Sequence, residues 1–293
     1  MLASVKRGLR LGFPFLFSCA ASFMSRLTAT SVVLLLLSSL PVSGDILDFN
    51  DWTTVQDPPH AGLSASADSA TQVTLSAASQ PIPHATDIGF QSISGVSPAT
   101  SGAGFAFDSA NSFSVGVDFA LTLNSAVGGL GLGFGIGEDS NGSNSAGVVL
   151  LTSSGVALPF GAAARINDTN QPPQAIPILS SLTGRFIAAY DATSGDVQLG
   201  VSTNGDNVPE GTATFSGIQN SWVGGQLFPS LFLRSDDTLG TAWTSGTADA
   251  VFTNFQVISG TPVSVPEPSG MGLVVILGML CLHRCGRRRA TRA

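Results

Sequence analysis

Phe113-Ser114-Val115-Gly116-Val117-Asp118-Phe119-Ala120-Leu121-Thr122-Leu123 and, shortly after it, Leu130-Gly131-Leu132-Gly133-Phe134-Gly135-Ile136 set the period of this chain. Every odd position of the first run is apolar, and every even position of the second. Side chains alternate between faces along a β-strand, so each run reads as a strand with one buried face. Glycine fills the other face of the second run. There it lets another backbone or sheet come close, and it weakens the strand unless neighbours hold it.

Working outward, the same alternation predicts strands at Ile46 to Trp52, Gln72 to Ala77, Gly104 to Phe107, Gly147 to Thr152, Arg185 to Tyr190, Val197 to Val201, Leu227 to Leu233 and Ala248 to Ile258. Breaks rich in Gly, Asn, Asp, Ser and Pro separate them, and no stretch of residues 45–260 keeps a helical period for long. Arg185 to Tyr190 and Val197 to Val201, joined by the Gly-containing turn Asp191 to Asp196, read as an antiparallel hairpin. Many short strands without intervening helices predict an all-β fold, two antiparallel sheets packed face to face. The 34 glycines and 11% charged residues agree, since glycine disfavours helix interiors. All three cysteines, Cys19, Cys281 and Cys285, lie in the terminal segments, so the body folds without disulfides and relies on a sizeable core.

The opening Phe49-Asn50-Asp51-Trp52, the hairpin just described and the closing Val251-Phe252-Thr253-Asn254-Phe255-Gln256-Val257 resemble the concanavalin A-like jelly-roll group, which includes legume-lectin-like and laminin-G-like domains. The resemblance implies a two-sheet jelly-roll sandwich over residues 45–260, with an immunoglobulin-like sandwich as the alternative. It also implies carbohydrate binding. Glycoside hydrolases of that group carry a Glu-x-Asp-x-x-Glu strand motif that places an acid and a nucleophile about one glycosidic bond. That motif is missing: the body holds two glutamates, Glu138 and Glu210, each in a turn-like segment. The expectation is therefore a non-enzymatic protein; a secreted glycan-acting enzyme and a structural surface protein without a specific ligand are the competing readings.

The two ends of the chain concern delivery. Arg26, the apolar centre Val32 to Leu37 and the small residues Val42-Ser43-Gly44 make residues 1–44 a secretory signal peptide, cut between Gly44 and Asp45. Met24 begins a complete signal by itself and is the expected translation start. After the short Pro-containing link Thr261 to Val265 come Pro266-Glu267-Pro268, the apolar run Met271 to Leu282, and an arginine cluster of Arg284, Arg287, Arg288, Arg289 and Arg292. Arginines are costly to move through lipid and stay on the cytoplasmic side, so they act as a membrane stop. Proline fixes its own φ and keeps the residue before it extended, which suits the triplet to being read as a peptide. This layout resembles the PEP-CTERM sorting tail of exported bacterial proteins. The resemblance makes residues 261–293 a sorting tail with a transmembrane helix, processed by an exosortase-type enzyme at the inner membrane, often in bacteria that make exopolysaccharide. Localisation at the cell surface or in the extracellular matrix follows. At about 1.5 Å per residue the apolar run covers roughly 18 Å, short of a ~30 Å hydrocarbon core, which suits temporary retention better than a permanent anchor.

Charge narrows the partners. Between Asp45 and Val265 three arginines, Arg165, Arg185 and Arg234, face eighteen carboxylates without a lysine, a net charge of −15. Such a surface repels phosphate backbones, and no nucleic-acid partner is expected. Polysaccharide is the expected ligand, through an aromatic ring stacked on a sugar. Trp222 and Trp243 sit among polar residues and are the available rings, although core or rim packing is the preferred reading for both; Trp52 is assigned to the core beside Phe49. His60 and His84 read as surface loop residues. No cofactor is expected apart from calcium, for which Glu138-Asp139-Ser140-Asn141-Gly142-Ser143-Asn144 offers hard oxygen ligands and Asp236-Asp237 a second acidic corner. Hairpin-turn chemistry accounts for the same residues and is preferred.

Overall fold

The computed structural model describes residues 48–56, 59–98, 101, 103–238 and 240–265. The expected signal and transmembrane helices lie outside them. Among the described residues no helix is long and apolar enough to cross a membrane. In chain order the strands are β1 Thr53–Val55, β2 Leu63–Ser69, β3 Gln72–Ala77, β4 Asp87–Gln91, β5 Phe105–Asp108, β6 Phe113–Val127, β7 Gly129–Gly137, β8 Ser145–Ser153 and β9 Val156–Ile166. They continue with β10 Thr169–Asn170, β11 Gln174–Ala175, β12 Thr183–Asp191, β13 Asp196–Ser202, β14 Gly211–Phe215, β15 Gln226–Ser235, β16 Ser245–Ser259 and β17 Val263–Ser264.

Two antiparallel sheets result. One has the order β14-β13-β12-β6-β16-β3-β2; the other runs β1-β4-β15-β7-β8-β9-β10, with β11 on β9, β5 on β15 and β17 on β5. Leu130, Leu132, Phe134 and Ile136 of β7 are buried, as are Val115, Val117, Phe119 and Leu121 of β6, and all eight belong to the single main core. Aromatic rings stitch the layers. Phe119 stacks on Phe186 at 4.0 Å and meets Phe160 of the other sheet edge-on, while Phe49, Trp52, Phe90 and Phe255 form a second group. Trp52 is buried beside Phe49 as its position implies, with ring centroids 5.1 Å apart. Fully burying side chains of this size contributes about 1.5–3 kcal/mol each.

One expected strand is replaced by another element. Ile46 to Trp52 contains a 3₁₀ turn, Phe49–Asp51, because the Asp48 carboxylate accepts the Asn50 amide at 2.7 Å and caps it; pairing begins only at Thr53. The expected hairpin is in place, with Tyr190 opposite Val197 and Gly195 at φ 73° in the turn. The link Thr261 to Val265 is more structured than a link: β17 pairs with β5, and Val265 packs with Ile93, Ala106 and Phe228 in a small second core.

Arg185, 1% exposed, lies on the outward face of the seven-stranded sheet. Its guanidinium donates to Asp118 at 2.5 Å, Asn207 Oδ1 at 2.8 Å, Gln256 Oε1 at 3.1 Å and the Asn254 carbonyl at 3.1 Å. That carbonyl is presented by a register shift between Thr253 and Gln256 in β16, where Asn254 has φ 51°. A buried cation is tolerated only when paired and hydrogen-bonded in this way.

Tyr190 is the single tyrosine of the chain, and its hydroxyl donates to the Ser109 carbonyl at 2.8 Å. Burial, then the charges of Asp191 and Asp108, raise its phenol above the ordinary value of 10.0. A raised folded value means that the protonated phenol's stabilisation is complete below pH ~10 and is lost as pH rises through the folded value. Absorbance titration at 295 nm of the folded protein should therefore give one transition above that of the urea-unfolded chain; coincident transitions would contradict the packing described.

Candidate functional site

Alternation divides the ten-stranded sheet into an inner face, buried against its partner, and an outer face that carries the site. On β4 the outward residues are Asp87, Gly89 and Gln91, on β15 Phe228, Ser230, Phe232 and Arg234, and on β7 the glycines. Ser145, Gly147 and Val149 of β8 and Gly161, Ala163 and Arg165 of β9 continue them. Residues from all five strands, with Asp139 to Gly142 at one end, line a groove of about 410 Å³. That size lies within the usual range for ligand pockets, about 300–1,000 Å³.

The floor is rich in glycine, and its glycines serve different ends. A Cβ at Gly135 would stand 2.4 Å from the Ala146 carbonyl oxygen, so the close approach of β7 and β8 requires glycine there. At Gly89 the nearest atom to an added Cβ is 3.6 Å away, and the fold places no demand on that position. Glycine at 133 does something else: a Cβ would meet the Phe232 ring at 2.2 Å, so its absence lets that ring lie on the β7 backbone. Phe232 is half-buried and faces the groove. The glycine face of β7 thus meets no second sheet; it seats an aromatic ring and forms a groove floor.

Two cations flank the ring. Arg234 lies level with Gly131 of β7, and Arg165 is level with Gly137 through Ser145. Three strand spacings and six residues of β7 separate them, roughly 14 Å across and 20 Å along the sheet. Arg165 Nη2 donates to the Asp168 carboxylate at 3.1 Å, and Arg234 Nη2 lies 3.7 Å from Asp236. Burial works to raise the Asp236 carboxyl, but bonds from Thr238 and the charges of Arg234 and His84 hold it below the ordinary 3.8. In both arginines Nε is buried without a hydrogen-bond partner.

The tryptophans are elsewhere. Trp222 and Trp243 are 6% and 1% exposed, so neither offers a face to a sugar. Trp243 Nε1 donates to the Ala78 carbonyl, and Trp222 Nε1 to the Arg165 carbonyl at 3.1 Å, fixing the end of β9 from below. Among aromatic side chains, the one that lines the groove with an exposed face is Phe232. Its position is legible in Leu231-Phe232-Leu233-Arg234, since buried leucines on either side turn Phe232 and Arg234 outward together.

The loop Glu138 to Asn144 is a latch. Glu138 is 6% exposed and accepts from Asn144 Nδ2 at 2.8 Å, the Val223 amide at 2.7 Å and the Gly224 amide. Asp139 accepts the amides of Ser143 and Asn144, and Asn144 Oδ1 accepts the amide of Asn167. Its carboxylates serve turn and interloop hydrogen bonds. At the other acidic corner His84, Asp236 and Asp237 bring one donor atom each within 4.8 Å of one another, with His84 Nδ1 at 2.8 Å from Asp237. Asp237 and His84 are exposed; His60 is half-buried and accepts the Gly62 amide. The sorting residues Pro266, Glu267 and Pro268, the arginines 284, 287, 288, 289 and 292, and the cleavage pair Gly44 and Asp45 lie outside the described residues.

No protein-family model matches the sequence, and no curated protein matches it. Among solved structures the chain is similar to the legume lectin-like domain from Entamoeba histolytica, with 9% identity, a TM-score of 0.40 and coverage of 72% of this chain and 91% of that one. It is similar also to the Bacteroides ovatus mixed-linkage glucan locus GH16 protein in complex with product, at 12% identity and a TM-score of 0.44, covering 72% and 98%. The Emp47p carbohydrate recognition domain is a third, at 13% identity and a TM-score of 0.40, covering 72% and 90%.

Removing the buried Glu138 carboxylate leaves the buried Asn144 Nδ2 without its acceptor, at about 1–3 kcal/mol for an unsatisfied buried group, while the Val223 and Gly224 amides belong to more exposed residues that water can reach. Glu138→Ala should therefore lower stability by about 1–3 kcal/mol in urea unfolding, and Glu138→Gln, which keeps one acceptor oxygen, by less. Equal stability of Glu138→Ala and the parent would show that the latch holds nothing.

Proposed function

We propose that this is an exported, non-enzymatic surface protein that holds a polysaccharide chain in the outer-face groove of a concanavalin A-like jelly-roll sandwich. The single observation that carries the reading is the Phe232 ring, seated on Gly133 with its free side in a groove whose floor is rich in glycine. A sugar ring needs an apolar face to stack on and polar groups at its rim, and a backbone floor lets it come close. Arg165, Arg234, Ser145 and Ser230 supply the rim. Gly89 supports the reading, because nothing in the fold forbids a side chain there and yet none is present.

Binding rather than hydrolysis is favoured by the spacing of the groove carboxylates. Asp87 is level with Gly131, whereas Asp139 lies beyond Gly137, so the two are roughly 20 Å apart along the sheet. Glycosidic cleavage uses carboxyl pairs about 5–9.5 Å apart. Delivery by a signal peptide and a PEP-CTERM tail rests on the sequence layout of residues 1–44 and 261–293, with exosortase processing at the inner membrane and release to the cell surface or matrix.

Two measurements test the two halves. On a glycan array the exported protein should bind at least one polysaccharide, and Phe232→Ala should weaken that binding about tenfold, the ~1.4 kcal/mol scale of one lost stacking contact. Gly89→Leu should keep the fold and obstruct the groove; unchanged affinity in both variants would move the site elsewhere. For delivery, cells lacking the exosortase-type peptidase should retain the unprocessed chain in the membrane fraction. Material of unchanged mass and location would reduce the tail to a plain membrane tether.

A further inference from the structure

The geometry points to an uncharged polysaccharide as the ligand class of the groove; this rests on the glycan reading above. Charge is the first consideration. Of the three arginines in a body with eighteen carboxylates, Arg185 is consumed in its buried network, while Arg165 and Arg234 line the groove. Neither of these two is a bare cation.

Each is matched at close range. Arg165 Nη2 donates to Asp168 at 3.1 Å, and its Nη1 reaches the loop that carries Asp139, where a Cβ on Gly142 would stand 4.0 Å away. Arg234 Nη2 lies 3.7 Å from Asp236, and Asp87 stands opposite Arg234 in the ladder of β4 and β15. In both side chains Nε is buried, so the two-pronged grip by which arginine holds a carboxylate is closed to a ligand. At and beside the groove two guanidinium groups thus meet four carboxylates, Asp87, Asp139, Asp168 and Asp236. A screening length of about 8 Å at physiological salt mutes the distant surface, so these six groups set the field that a ligand meets. That field repels uronate and sulfate groups.

The same groups suit hydroxyls. A hydroxyl both donates and accepts, so it can bridge a guanidinium and a carboxylate that stand side by side. An ionised carboxylate offers about four acceptor sites, and the Ser143 and Asn144 amides occupy only one on each oxygen of Asp139. Arg165 with Asp139 at one end and Arg234 with Asp87 at the other make two such pairs, and the apolar Phe232 ring lies between them. The ends are roughly 24 Å apart by the strand geometry, which calls for a polymer rather than a single sugar. An amine-bearing polymer would have to compete with the arginines for their carboxylates.

The experiment uses the purified exported protein with polygalacturonate and alginate, each intact and after chemical reduction of its carboxyl groups to neutral alcohols, and with chitosan before and after full N-acetylation. At low salt every neutral form that binds should do so about tenfold more tightly than its charged parent, and the gap to a uronate parent should narrow as salt rises to about 0.5 M. Asp168→Asn and Asp236→Asn keep an acceptor oxygen but release a guanidinium, so each should raise affinity for the uronate parent about threefold and leave the neutral form unchanged. Melting temperatures close to that of the parent exclude loss of fold. A charged polymer that binds as tightly as its neutral form, or aspartate variants that leave the preference untouched, overturns the uncharged-ligand inference while the glycan reading stands. Binding to none of the probes, or full binding by Phe232→Ala, overturns both.

Discussion

Everything in this structure depends on the strict division of labour along β7. Its even residues, Leu130, Leu132, Phe134 and Ile136, fill the core, and its odd residues are glycines throughout. β7 is central in its sheet, between β15 and β8, so its two faces dictate those of both neighbours. A one-residue slip would exchange the faces and bring glycine to the core, leaving four large cavities. The strand therefore fixes its own register. The same glycines that forbid the slip let neighbouring side chains and backbone settle low over the opposite face, and the groove is the consequence of the core's arrangement.

A body without cysteines must hold its loops by means other than disulfides. It does so with buried polar groups whose partners are distant in sequence. Arg185 ties β12 to β6 and to the irregular end of β16, and Glu138 ties the loop after β7 to Val223 and Gly224, 85 residues on. Gly224 is part of that design, since a Cβ there would stand 2.6 Å from the Glu138 carboxylate. Such contacts add modestly to net stability but are costly to break, so they select one loop arrangement among many. Glu138 holds the loop at one end of the groove, whereas the Arg185 network braces the outward face of the other sheet.

Much of the sandwich is legible in the sequence because alternation in β3, β6, β7, β12, β13, β15 and β16 is strong enough to overcome local propensity. Less visible are β2, made of small and polar residues on a sheet edge, and β9, where Pro159 and three consecutive alanines mask the period. Missing β9 means missing Arg165 as a groove residue. The site suffered from a different cause. Tryptophan is the familiar sugar-stacking ring, yet Trp222 and Trp243 sit in polar sequence while their rings turn inward, since a single hydrogen bond to a backbone carbonyl satisfies the indole. Phe232 was concealed by lying in an unbroken apolar run, where parity alone reveals which side chain faces out.

The end of the body links the groove to delivery. Val265, the last described residue, packs against Phe228, which itself lines the groove, and the Val265 amide bonds to the Gly104 carbonyl at 3.0 Å. Residues 263–265 therefore pack behind a groove-lining residue and cover the edge of β5. Pro266 follows at once in the sequence, so on the sorting proposal the processing enzyme meets a folded body with no free spacer between. A cut beyond Val265 leaves β17 on β5 and the small second core intact. A cut before Thr261 would strip β17 away, uncover Ile93, Ala106 and Phe228, and present an open strand edge to water and to other chains. The physical demand of the sandwich thus places the tolerable cut on the far side of Val265, where the sequence carries Pro266-Glu267-Pro268.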